Sequence, residues 1–111
     1  MTEDKTRVCL LSDFYSELLT EAQYNAIDLY YNEDFSLAEV AENIGISRQG
    51  VRDNIMRGVE LLFSYEDKLH LAERYHKNSQ VLEKLKDAVK RAGVSEISER
   101  EIMALIDSLS V

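Results

Sequence analysis

The segment Ser36 to Arg57, SLAEVAENIGISRQGVRDNIMR, constrains the fold of this chain more than any other. Leu37, Val40, Ala41 and Ile44 recur at helical spacing and so share one face. Gly45 stands just past that run, where a chain turns through positive φ and glycine does so at least cost. Ser47 then restarts a helix, its side chain accepting from an amide of the first turn. Val51, Ile55, Val59 and Leu62 continue an apolar stripe beyond it. Two apolar-faced helices joined by so tight a bend make a helix-turn-helix, which presents its second helix outward. The surface that usually receives such a helix is the DNA major groove.

The rest of the chain reads as helix too. There is no proline, strand-type alternation is absent, and the four glycines are Gly45, Gly50, Gly58 and Gly93. The expected fold class is therefore all-α, a helix-turn-helix domain over residues 1–66 with a C-terminal helical extension over 67–111. Helices are predicted over about 7–18, 21–31 and 37–43, and from Ser47 onward to the polar run His76-Lys77-Asn78-Ser79. Two more follow, one over about 80–92 and one opened by Ser98 with Glu101. Thr20 with Gln23, and Ser36 with Glu39, have the spacing of reciprocal capping boxes. Leu10, Leu11, Phe14, Tyr15 and Leu18 are expected to face inward, and most of the six tyrosines to sit at the rim of the core with wet hydroxyls. The apolar residues from Leu61 to Val89 exceed what a three-helix motif covers. Either the later helices fold back to complete one core, or they form an arm that joins two copies as a homodimer.

Several function classes have no support in the residues. The longest purely apolar run is the five residues Ile102 to Ile106, against the roughly 20 needed to cross a membrane, so no membrane partner is expected. Glu3 and Asp4 stand where a signal peptide carries positive charge. Cys9 is the one cysteine, which makes a reducing cytoplasm the simplest setting and a core position its simplest role. His70 and His76 fall on different helix faces, so no metal site is expected. No phosphate loop, dinucleotide fingerprint or nucleophile elbow occurs, which argues against a cofactor and against an enzyme. Asp13, Glu17 and Glu21 step by four as a solvated acidic face does.

Net charge is −8 and unevenly spread. Residues 1–35 carry eight acids and two bases, residues 36–68 six acids and four bases, and residues 69–111 seven of each. Such a chain repels nucleic acid at long range, so a DNA contact needs a local basic patch, a dimer or a partner. The second helix of the motif offers the patch. With Val51, Ile55, Gly58 and Leu62 turned inward, Gln49, Arg52, Asp53, Met56 and Arg57 face out. Gln49 suits adenine and Arg52 guanine, while Arg48, Arg57 and the Ser47 hydroxyl suit phosphates. Gly50, lacking a side chain, would let a backbone or sugar approach. Asp53 opposes this reading, since it repels phosphate and stands four residues from Arg57 as an ion-pair partner.

The spacing from Leu37 to Ile55 resembles promoter-reading region four of bacterial sigma factors. It departs at Asn54, where such motifs carry an apolar side chain and Ile55 must take over the packing. With its flanks, LLTEAQYNAIDLYYNEDFSLAEVAENIGISRQGVRDNI and then LLFSYEDKL, the chain resembles the YlxM family of small bacterial helix-turn-helix proteins over about residues 8–85. That resemblance implies a DNA-binding regulator with a part in the signal recognition particle pathway. The alternative class is a protein-binding or RNA-associated module acting on the particle without reading DNA, with the acidic N-terminal half meeting a basic surface.

Overall fold

Six α-helices, and no strand, make up the described residues, 4–109, of the computed structural model. The chain divides into two units, one reaching Ala72 and the other beginning at Glu73.

The first unit holds α1 (Lys5–Tyr15), α2 (Glu21–Ile27), α3 (Leu37–Ile44) and α4 (Arg48–Leu69). Each start is capped by a short polar side chain. Asp4 Oδ1 accepts from Thr6 N–H at 3.0 Å. Thr20 and Ser36 form capping boxes, their own amides donating to Gln23 and Glu39 at 3.0 Å in return. The Glu39 carboxylate is held below its ordinary range by the Ser36 amide and hydroxyl. The interior is built from Val8, Leu11 and Tyr15 of α1, Ala26 and Ile27 of α2, Val40 of α3, and Val51, Ile55, Val59 and Leu62 of α4. Burying one such aliphatic side chain contributes about 1.5–3 kcal/mol. Gly58 lets α2 approach α4: a Cβ there would lie 2.6 Å from Ile27 Cδ1.

Some expectations are corrected here. Leu10 and Leu18 are exposed rather than inward. The buried phase of α1 is Val8, Leu11, Ser12 and Tyr15, which leaves Leu10 off the stripe, and the α-helix ends before Leu18 in a single 3₁₀ turn. The helix predicted to Tyr31 does run that far, as an α-helix to Ile27 and then as a π-helix, Asp28–Asn32, closed by Glu33 N–H to Asp28 C=O at 3.1 Å. The wider turn brings the consecutive Leu29, Tyr30 and Tyr31 against the core, where an α-helix would spread them over about 200°.

The helix from Ser47 also ends early. His70 adopts a left-handed conformation (φ +56), and α5 (Leu71–Arg91) begins at the next residue. The first amides of α5 find acceptors brought from elsewhere in the fold. Leu71 N–H donates to Tyr15 Oη and Ala72 N–H to Glu66 Oε1, both at 3.0 Å. Tyr15 Oη in turn donates to Glu66 Oε1 at 2.6 Å, with both side chains buried. Burial and that bond to Glu66 push the Tyr15 phenol above its usual range, so this hydroxyl is neither wet nor at the rim.

In the second unit α5 runs on to Arg91, Gly93 turns the chain with φ +68, and α6 (Glu96–Asp107) follows. Its cap is Ser95, which accepts from Ser98 N–H at 3.2 Å; Ser98, expected to open the helix, lies inside its first turn. Lys86 pairs with Asp107 at 3.2 Å and Glu83 at 3.6 Å.

Candidate nucleic-acid interface

The geometry of the site begins at Gly45. Its φ of +75 ends α3, and its N–H and that of Ile46 both donate to Ala41 C=O, at 2.9 and 3.2 Å. Two residues later Ser47 is extended and caps α4, its Oγ accepting from Gly50 N–H at 3.0 Å. The cap uses the oxygen lone pair and leaves the hydroxyl proton free to donate. A Cβ on Gly50 would meet Ser47 Oγ at 3.2 Å and Ile46 Cδ1 at 3.4 Å, so this glycine faces the motif's own turn and offers no approach to an outside backbone.

On the inner side of α4, Val51 and Ile55 are fully buried. Asn54, the departure from the sigma-like pattern, turns its Nδ2 back to Gly50 C=O at 3.0 Å, and Ile55 fills the apolar position. On the outer side Ser47, Arg48, Gln49, Arg52, Asp53, Met56 and Arg57 are all exposed. The three arginines make no ion pair among the described residues. Asp53 does not pair with Arg57; it accepts from Gln49 Nε2 at 3.0 Å. That bond holds the Gln49 amide along the helix and leaves the Asp53 charge in place.

Arg48, Gln49 and Arg52 come together in an open groove of about 800 Å³, lined also by Tyr30, Ser36, Leu37 and Ala38. Ser47 and Arg57 lie outside that lining, Arg57 roughly 13 Å along the axis from Arg48. The groove lies between the start of α3 and the first two turns of α4, and two guanidinium groups of α4 line it. Such a surface offers directional N–H donors to an anion or to acceptor atoms on a base edge. Sequence reasoning missed the α3 side of this surface. The Ser36–Glu39 capping box was its signal, since it fixes where that helix begins, but Tyr30 reaches the groove from the π turn, which no local pattern announces.

The sequence profile of the family described as "Putative helix-turn-helix protein, YlxM / p13 like" matches residues 2–102. The chain belongs to this YlxM/p13-like family. Among its relatives, a UPF0122 protein of Halalkalibacterium halodurans is 49% identical over 107 residues, 96% of this chain and 94% of that one. The UPF0122 protein YlxM of Bacillus subtilis is 44% identical over the same shares of the two chains. The UPF0122 protein YofM of Lactococcus lactis is 52% identical over 83 residues, 75% of each. The likeness to YlxM thus spans the motif and both units. In this YlxM/p13-like chain no helix is long and apolar enough to cross a membrane, and no three potential metal ligands gather, among the described residues.

Proposed function

We propose that this chain binds duplex DNA through the outer side of α4, as a regulatory protein. Arg52 and Gln49 read base edges, and Ser47, Arg48 and Arg57 hold phosphates. The observation that carries this reading is the exposure of Arg48, Arg52 and Arg57, free of ion pairs among the described residues, on the helix that follows the Gly45 turn. The groove beside Arg48 and Arg52 brings the start of α3 to the same surface. Gln49 must release Asp53 to reach adenine, which makes its contribution smaller than that of Arg52. The resemblance to YlxM proteins brings in the signal recognition particle pathway as the setting for such regulation.

The test is selection of a randomised duplex library on the full chain, then binding of the enriched duplex at one salt concentration. Gln49→Ala with Arg52→Ala is expected to weaken the enriched duplex at least about tenfold, one good base contact being worth roughly 1–3 kcal/mol. A double variant that binds as tightly as the parent, or a library that yields no enriched sequence, overturns this reading. A second reading is favoured by charge: residues 1–35 carry eight acids against two bases and suit a basic protein surface or ribonucleoprotein. Co-purification with the signal recognition particle that survives nuclease treatment is its expected signature.

A further inference from the structure

The unit from Glu73 onward buries one side chain, Ile106, among its described residues. It nevertheless leaves Val81 61%, Leu85 44%, Leu105 63% and Leu109 54% exposed. Two helices with so little shared interior fall short of what a stable fold needs.

The exposed residues are not scattered. Ser79, Leu82, Lys86, Ile106, Asp107 and Leu109 line one cleft, so the end of α6 lies beside the middle of α5 and the two helices run antiparallel. At about 100° per residue, Leu85 sits about 110° and Val81 about 150° round α5 from that cleft, in one sense. Leu105 sits about 110° round α6, in the same sense, while Leu109, just past the helix end, is at the edge of the cleft. In an antiparallel pair the same sense of rotation leads to the same side, so Leu85 and Leu105 share one apolar face across both helices, with Val81 and Leu109 at its margins.

Charge identifies what covers it. α5 carries six bases and three acids, whereas α6 carries four acids and one base. A purely acidic or purely basic partner would match one helix and repel the other. A second copy matches both when a two-fold axis parallel to the helices lays each α5 on the other chain's α6. We propose that this face is the contact through which two copies of the chain form an isologous dimer. The contact stands apart from the DNA reading, because it is measured without nucleic acid.

Sedimentation equilibrium of the full chain at micromolar concentrations is expected to give twice the mass of one chain. Leu105→Lys on α6 and Leu85→Glu on α5 are each expected to return the mass of one chain, with the far-ultraviolet helix signal unchanged. Arg100→Glu is expected to keep the doubled mass, since Arg100 is exposed and lies about 140° round α6 from Leu105. A parent chain that sediments as a monomer overturns the proposal. So does a Leu105→Lys chain that keeps the doubled mass, or an Arg100→Glu chain that loses it.

Discussion

The two units of this chain are held by different means. In the first, four helices surround an interior in which Val8, Leu11, Ile27, Val40, Val51, Ile55 and Leu62 are wholly hidden from solvent. Its polar groups are assigned too: capping boxes at Thr20 and Ser36, and a carboxylate–phenol pair at the start of α5. In the second, two helices share one buried isoleucine and a lysine–aspartate pair at their seam. The difference teaches where each unit gets its order. The first has it from its own side chains. The second has few buried, and that deficit is what the proposed contact between two copies would fill.

Cutting the same side chain in each unit tests this contrast most strongly. Leu62→Ala removes a leucine with no exposed surface and is expected to destabilise the chain by about 2–5 kcal/mol in urea unfolding. Leu105→Ala, at concentrations too low for association, is expected to stay within about 0.5 kcal/mol of the parent. Equal losses would show that the α5–α6 pair has an interior of its own and would break the comparison.

A smaller effect comes from one hydroxyl. Tyr15→Phe leaves the buried Glu66 carboxylate short of a donor and the Leu71 amide short of an acceptor. The expected cost is roughly 1–3 kcal/mol, with faster hydrogen exchange at Leu71. The parent should also weaken in alkali. The Tyr15 phenol titrates higher in the folded chain than in the unfolded one, so its contribution is complete below about pH 10 and falls as pH rises through the folded value. Tyr15→Phe lacks that slope; an identical alkaline profile in both chains would remove Tyr15 from the account.

The least effect concerns the start of α3. Glu39 titrates lower when folded, because the Ser36 amide and hydroxyl favour its ionised form. Its contribution is therefore complete above about pH 4.3 and is lost as pH falls through the folded value. Glu39→Gln keeps an oxygen for the capping box and is expected to show a flatter urea midpoint on acidification. A slope that does not change would mean that other carboxylates carry the acid response.

How much of this was legible in the sequence depended on distance along the chain. Caps made within three residues, at Thr20, Ser36 and Ser47, were readable, as was the left-handed turn at Gly45. The stripe Val51, Ile55, Val59 and Leu62 was readable for the same reason, since helical phase is local. The break at His70 was not. A helix end there is made by Tyr15, 56 positions from the Leu71 amide it accepts, and no local pattern carries such a partner. The cap of α6 was misplaced by three residues because Ser95 and Ser98 both suit the role. At the candidate interface the outward phase of Gln49, Arg52 and Arg57 followed from the helix alone, whereas the exposure of Arg48 did not. The Gln49–Asp53 bond and the Tyr30 side of the groove required knowing where neighbouring side chains come to rest.

The pair of buried oxygens on Tyr15 and Glu66 links three stretches of chain: the end of α1, the last turn of α4 and the opening of α5. A charged group shut away from water tolerates no change in one member by itself. Descendants of this protein that trade the phenol for a hydrocarbon ring should therefore trade the acid in the same stroke, and the two positions should drift as a couple while the surface around them wanders.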